Sequence, residues 1–464
     1  MALARIFVAN RGEIAVRIVR AARELGIATV QAVSAADRDM LAARLADAVA
    51  DVGPAHATKS YLNKDAVLMA AIESGADAVH PGYGFLSENA DFAAMVEDAG
   101  LVFIGPKAET IRKMGDKATA RAIASAAGVP TVPGSDGRVE GLEDARRIAR
   151  EIGYPVMIKA SAGGGGRGIR VAEDPAELEK LIPQASAEAK AAFGDGGLYL
   201  ERFVHRARHV EVQILGDGVD AIHVFERECS LQRRRQKVWE EAPAACLSPT
   251  VREELCASAV RLAKSVSYRG AGTLEYLYDA HTGAFFFIEM NTRIQVEHPV
   301  SEMVTGIDLV REMIRIAGGA RLAYAQSDVR LSGHAIEVRI NAEDPARDFL
   351  PAPGTVETLT APGGMGVRFD TMLYPGYAVP PFYDSLLGKL IVWDETRAEA
   401  IARLSRALGE LRIDGIATTT VLHRALAADD EVRAGDVHTR WLEGWLDANP
   451  LEHVNASNAE GSRR

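Results

Sequence analysis

Apolar residues recur with two different periods along this chain, and the switches between them outline its organisation. Ile6-Phe7-Val8-Ala9 is a short apolar run, and Ile14, Ile18, Ala21 and Leu25 follow at helical spacing, closed by Gly26. Residues 28–33, 77–80 and 101–104 repeat the strand-like pattern. Strands alternating with helices predict a parallel, doubly wound sheet, which places ligands at the carboxyl ends of its strands. The loop His80-Pro81-Gly82-Tyr83-Gly84-Phe85-Leu86-Ser87 follows one of these strands, with Ser87 positioned to cap the next helix. Structural support and substrate contact are both open roles for this loop.

Past Lys107 the pattern changes. A long helical stretch (108–127) leads into the turn-rich 132–137 and a second helix that ends near Gly153. A strand at 155–160, a glycine-rich run at 163–168, a strand at 169–172, a helix at 174–192 and a strand at 198–201 complete a small α+β unit. From about Val204 strands dominate. His209, Glu211 and Gln213 alternate with Val210, Val212 and Ile214, which makes one face polar and the other apolar. Gly216-Asp217-Gly218 turns this strand into 221–227, and 273–278 and 284–291 read as a hairpin joined through 279–283. Helices are expected at 307–316 and 397–411. The predicted fold class is thus mixed α/β and α+β. Residues 1–115 form a doubly wound domain, 116–203 a small lid with a flap, and 204–447 a mainly antiparallel part. The polar, aperiodic 448–464 is expected to be a disordered tail.

Composition narrows the function. In 464 residues, 25% charged and 48% hydrophobic is an ordinary globular balance, so a disordered chain is excluded. A net charge of −11 argues against a nucleic-acid or anionic-membrane partner while leaving room for a local basic pocket. Cys229, Cys246 and Cys256 fit neither a zinc nor a redox spacing and read as buried small residues in a reducing cytoplasm. No apolar run approaches the ~18 residues of a membrane span, and the first strand begins too early for a signal or transit peptide.

Four segments carry candidate chemistry. Gly163-Gly164-Gly165-Gly166-Arg167-Gly168 matches the spacing of a dinucleotide fingerprint, but a strand follows it where that fingerprint requires a helix. Strand, glycine loop, strand is the arrangement of a flap whose backbone N–H groups close over a triphosphate, with Lys159 at the end of the first strand to neutralise phosphate charge. A plain surface turn is the alternative, although five glycines in six positions exceed what one turn needs. In 285–291 the period of two sets Glu289 and Asn291 on one face, shared with Phe285 and Phe287. Pairing about the turn puts Glu275 diagonally across from Glu289. Two carboxylates and an amide oxygen suit magnesium; an acidic strand face open to water is the other reading. Gln232-Arg233-Arg234-Arg235-Gln236-Lys237, before Glu240-Glu241, is either a solvated basic run or an anion pocket. In Asn291-Thr292-Arg293-Ile294-Gln295-Val296-Glu297 an arginine and an acid stand four residues apart beside the metal strand. They are either an oxyanion clamp with a base or a simple salt bridge.

Taken together, these segments resemble the biotin carboxylase family of the ATP-grasp superfamily, from about Arg5 to Leu446. The resemblance is carried by Ala9-Asn10-Arg11-Gly12-Glu13-Ile14-Ala15, His80 to Asn89, Met114-Gly115-Asp116-Lys117, the glycine run, Gln232 to Lys237, Glu289 to Pro299 and Asn341-Ala342-Glu343-Asp344-Pro345. It implies that Lys117, Lys159, His209, Gln232 and Arg235 contact ATP, with Gly163–Gly166 and Gly168 over its phosphates and the hinge Glu201, Arg202, Phe203 and Val204 against adenine. Glu275, Glu289 and Asn291 would hold magnesium or manganese. Lys237, Arg293, Gln295 and Val296 would hold bicarbonate, Glu297 would deprotonate it, and Arg339 would stabilise the biotin enolate. Arg235 departs from the His usual at its position, Ala162 interrupts the glycine run, Cys246 stands where Pro is common, and Arg202 replaces a frequent Lys. No Ala-Met-Lys-Met attachment sequence occurs, so biotin is expected on a separate carrier protein, with carboxyltransferase partners and a homodimer. Another ATP-grasp ligase that activates a carboxylate for an amine, or a silent nucleotide-binding scaffold, are the competing functions.

Overall fold

The computed structural model describes residues 3–135, 137–160, 170–193 and 196–451. Its first layer is a five-stranded parallel sheet of β1 (Arg5–Val8), β2 (Ala28–Ser34), β3 (Ala48–Gly53), β4 (Ala78–His80) and β5 (Val102–Phe103), in the order β3-β2-β1-β4-β5. Alternation along β1 shows why both faces are covered. Ile6 and Val8 pack with Ile14, Ile18 and Met313 on one side, whereas Phe7 and Ala9 pack with Val67, Phe92 and Val96 on the other. The edge strand β3 was not expected. Its apolar start, Ala48-Val49-Ala50, is interrupted by Asp51, and Ala48 and Val49 are exposed, so the strand is held by its pairing with β2.

Two helix boundaries differ from the pattern. The helix Ala90–Asp98 is capped by Asn89, whose side chain accepts from Phe92 N at 2.8 Å. Turn hydrogen bonds from Ser87 N to Gly84 O and from Asn89 N to Leu86 O carry the helix start past Ser87, whose hydroxyl is buried without a partner. The single helix expected at 108–127 is two, Ala108–Gly115 and Lys117–Ala126. Asp116 leaves the helical conformation at ψ 114° and caps the second helix through Thr119 N. Lys117 thereby becomes the first residue of a helix.

A small antiparallel sheet follows, ordered β7-β6-β8 from β6 (Val156–Ala160), β7 (Arg170–Ala172) and β8 (Leu198–Arg202). It packs Val156, Ile158, Leu198 and Leu200 against Ala145, Ile148, Leu178 and Ile182 of the helices Leu142–Ile152 and Pro175–Phe193. The glycine flap at 163–168 and the tail from 452 lie outside the described residues.

The largest layer is an antiparallel sheet of β9 (Ala207–Asp217), β10 (Ala221–Arg233), β11 (Gln236–Ala242), β12 (Arg269–Asp279), β13 (Ala284–Asn291) and β14 (His334–Asn341). Beyond the short pair β15 (Glu343–Asp344) with β16 (Leu350–Pro351), and β17 (Thr358–Thr360), it continues through β18 (Val367–Thr371) and β19 (Leu386–Asp394). The order is β13-β12-β9-β10-β11-β14-β19-β18, and β17 pairs with β20 (Arg412–Asp414).

The β12–β13 hairpin contains a feature that the alternation hid. Its register runs regularly from Asp279↔Ala284 to Tyr276↔Phe287, then shifts so that Glu275 faces Glu289. Ile288 is the extra residue of a bulge. Glu275 and Glu289 are therefore direct cross-strand neighbours and not diagonal ones. Phe285 and Phe287 belong with Met290 and Tyr276 in the buried core beneath the sheet, so they are on the opposite face from Glu289. The inserted residue reverses which side chains point down.

Candidate active site

Residues after β1 (Asn10, Arg11, Gly12, Glu13) and after β4 (Tyr83, Gly84, Phe85) meet the open face of the large sheet across a cleft of about 1320 Å³. The carboxyl ends of the parallel strands thus form one wall, as their topology predicts. His209, Gln232, Arg233 to Lys237, Glu275, Glu289, Asn291, Arg293, Gln295, Val296 and Arg339 line the remainder. Segments from Asn10 to Arg339, far apart in sequence, converge here.

At the floor lies a buried ion network. Lys237 Nζ donates to Glu211 at 2.6 Å, to Glu297 at 2.6 Å and to Glu275 at 3.0 Å. Arg339 reaches the other oxygen of Glu297 at 3.0 Å and donates its Nε to Glu240 at 2.6 Å. Glu297 is fully buried, with a cation on each oxygen. Burial pulls the Lys237 ammonium down, but Glu211, Glu297 and Glu275 outweigh it and hold its pKa well above the ordinary lysine value. Glu211 is likewise raised by burial, yet Lys237 and Arg227 bring it well below a free glutamate. The fully buried Arg227 spans Glu211, Gln213, Thr273 and Ser301, fixing the middle of the sheet.

Arg293 and Glu297 do not form the salt bridge that their spacing allowed. Arg293 is held by Glu88 at 2.8 Å and Asn291 Oδ1 at 2.9 Å, and it donates to Gln295 Oε1 at 3.1 Å. Lys237, Arg293 and Arg339 thus approach Glu297 and Gln295 from separate elements, a concentration of positive charge suited to a small oxyanion. Beside them, Glu275 Oε1 accepts from Asn291 at 2.9 Å and from Gln295 at 3.2 Å, and its Oε2 lies 3.4 Å from His209 Nε2. Glu289 has neither a hydrogen-bond partner nor an ion pair among the described residues. Burial and the facing Glu275 raise its pKa. A repelled, unpaired carboxylate facing a second one is a donor pair that fits a divalent cation with oxygen preference, while Asn291 turns its amide nitrogen to Glu275 and its Oδ1 to Arg293. His209, Glu211 and Glu275 also bring ligand atoms within 4.8 Å of one another, but Glu211 is already held between Lys237 and Arg227.

The nucleotide residues named from sequence divide into two groups. His209 and Gln232 reach the cleft, whereas Lys117, Lys159 and Glu201, Arg202, Phe203 and Val204 are not part of its lining. Lys159 pairs with Glu201 across β6 and β8, and Arg121 reaches the same carboxylate at 3.4 Å. Val204 is buried with Ala207 and Phe286. Arg234 and Arg235 make the two-residue turn between β10 and β11, both at positive φ (47° and 68°). Arg233 stacks on Phe349 and, with Arg234, grips Asp348. Arg235 is exposed on the cleft wall.

Sequence reasoning missed several groups. Glu88 stands in the sequence only within a motif, Glu240 only as a neighbour of the basic run and Arg227 only as a strand end, and Lys389 was not singled out. Lys389 is fully buried; it donates to Val296 O at 2.7 Å and lies 3.2 Å from Glu13, which also accepts from Tyr83. A lone lysine within Leu386-Leu387-Gly388-Lys389-Leu390-Ile391-Val392 was the available signal.

Comparison with known proteins agrees with this geometry. Sequence profiles for "Biotin carboxylase, N-terminal domain", "Carbamoyl-phosphate synthase L chain, ATP binding domain" and "Biotin carboxylase C-terminal domain" match residues 2–111, 116–325 and 337–444. The biotin carboxylase of Pseudomonas aeruginosa is 56% identical over 443 residues, covering 95% of this chain and 98% of that protein. The chloroplastic enzyme of Arabidopsis thaliana is 52% identical over 439 residues, covering 94% and 82%. Among solved structures, the bicarbonate-bound biotin carboxylase domain of a thermophilic 2-oxoglutarate carboxylase superposes with a TM-score of 0.91 at 45% identity, covering 96% of this chain and 98% of that one. The biotin carboxylase subunit of a pyruvate carboxylase gives 0.90 at 48%, covering 97% and 100%. A mixed α/β fold with this cleft, matched along nearly its whole length, places the chain in the biotin carboxylase family of ATP-grasp ligases.

Proposed function

We propose that the chain carboxylates biotin carried on a separate protein, using ATP and bicarbonate, as one component of a biotin-dependent carboxylase. The observation that carries this reading is Glu297, buried between Lys237 and Arg339 in the same cleft as the acidic pair Glu275 and Glu289. Bicarbonate is a weak electrophile, and ATP activates it by phosphorylation to carboxyphosphate with release of ADP. Lys237, Arg293, Gln295 and the Val296 backbone bind and orient the anion, and Glu297 takes its proton as its oxygen attacks the terminal phosphate. Arg339 then stabilises negative charge on the biotin ureido oxygen as the ring nitrogen gives its proton to the departing phosphate and takes the carboxyl group, releasing inorganic phosphate. Lys117, Lys159, His209, Gln232, Arg235, the flap glycines and the hinge 201–204 contact the nucleotide. Glu275, Glu289 and Asn291 would hold magnesium or manganese, which supplies charge neutralisation at the phosphates.

The domain division at 115 and 203, a homodimer, a biotin carboxyl carrier, carboxyltransferase partners, an acetyl-CoA carboxylase type of pathway and a cytoplasmic setting complete the proposal. Solved relatives support the dimer and the ligands: one is a biotin carboxylase domain dimer with MgADP and bicarbonate. Three unpaired cysteines accord with a reducing compartment. The test is ADP release by the purified chain with bicarbonate and free biotin. Glu297→Gln is expected to lower bicarbonate-dependent turnover by at least about 100-fold while ATP still binds; unchanged turnover would remove Glu297 as the base.

A further inference from the structure

Glu297 faces a difficulty built into its own role. As a base it becomes neutral in each cycle, and a neutral carboxyl group no longer holds the two cations that flank it. Lys237 is secured regardless, because Glu211 and Glu275 also accept from it at 2.6 and 3.0 Å. Arg339 has one other carboxylate among the described residues, Glu240, at 2.6 Å from its Nε. Glu240 is fully buried on β11, on the neighbouring strand to Arg339 on β14, and its second oxygen has no partner among the described residues. The remaining acid close to Arg339 in charge terms, Glu337, makes no hydrogen bond with either oxygen. Arg339 O is fixed independently by Thr419 at 2.8 Å and His423 at 2.6 Å, so the strand is anchored and the guanidinium alone is left to be aimed.

We propose that Glu240 is a positioning residue that keeps the Arg339 guanidinium aimed into the cleft while Glu297 is protonated. The inference rests on the reading of Glu297 and Arg339 given above. Glu240 touches no reacting atom and works through Arg339, so its effect must vanish when Arg339 is already gone.

The test is a double-mutant cycle on the full-length chain, with ADP release read with and without free biotin. Glu240→Gln keeps size and an acceptor oxygen but removes the charge. It is expected to lower biotin-dependent kcat at least about tenfold with the KM for ATP unchanged. Glu240→Asp, which retains the charge one methylene short, should fall between Glu240→Gln and the parent. In an Arg339→Met background, Glu240→Gln should cause no further loss. Full biotin-dependent activity in Glu240→Gln, or losses that multiply in the double variant, would overturn the proposal alone. Parental activity in Arg339→Met would instead overturn the reading on which it rests.

Discussion

Lys389 illustrates how much a single side chain carries in this molecule. Its ammonium is fully buried, and it joins the backbone of Val296, in the loop of the proposed bicarbonate site, to Glu13 just after the first parallel strand. Val296 O cannot shift without leaving that charge short of a partner. Replacing Lys389 with Met leaves Glu13 buried without its cation, and the expected loss is about 3 kcal/mol of stability with a raised KM for bicarbonate. Urea unfolding and bicarbonate titration check this; parental values for both would show Lys389 to be incidental. Lys389 stood in the sequence as a lone lysine in an apolar run, but its partners did not show, because a strand sequence records alternation and not what lies above it. Glu297 was visible, but its partners were not: spacing suggested Arg293, whereas folding supplies Lys237 and Arg339.

Elements place these residues, and they do so through irregularities. The bulge at Ile288 brings Glu289 opposite Glu275 and sends Phe287 into the core, a rearrangement that strict alternation could not foresee. The β11 strand turns Glu240 to Arg339 and Glu241 to the opposite side, where Arg397 of the helix Arg397–Glu410 donates at 2.6 and 3.0 Å and His334 at 2.7 Å. Burial pushes the Glu241 carboxyl up, but Arg397 and His334 outweigh it and bring it down to about 2. A carboxylate held below its ordinary 4.5 stabilises the fold above that value and loses its contribution as the pH falls toward about 2. Glu241→Gln is therefore expected to lower stability by about 3 kcal/mol at neutral pH, with the gap to the parent closing below pH 4.5. Denaturant melts across that range measure it, and a gap that persists at pH 2 would contradict the assignment.

At the scale of the whole molecule, the cleft exists only because two sheets are assembled around it. The parallel sheet contributes the 10–13 and 83–85 loops and the large antiparallel sheet the ion network, whereas the small sheet, with Lys159 and Glu201, supplies none of the lining. Glu289, without an ion pair among the described residues, faces Glu275 only once the strands are assembled, so the proposed metal site is a property of the assembled molecule. MgATP is expected to raise the melting temperature more than ATP with a chelator, and Glu289→Gln should abolish most of that difference. Equal shifts with and without metal would argue against Glu275 and Glu289 as ligands.

The sequence alone determined the succession of a parallel layer, a small α+β unit and an antiparallel layer, because hydrophobic period is a local property that each segment carries by itself. Long uninterrupted motifs also identified the family and most of the residues that line the cleft. Tertiary structure decided the rest. The edge strand β3 forms only by pairing, the bulge at Ile288 exists only in register with β12, and the partners of Glu297 and Lys389 come from segments far away in the chain. Charge pairing in a buried site depends on distance in space and on exclusion of water. Neither is written in the spacing of residues along a chain.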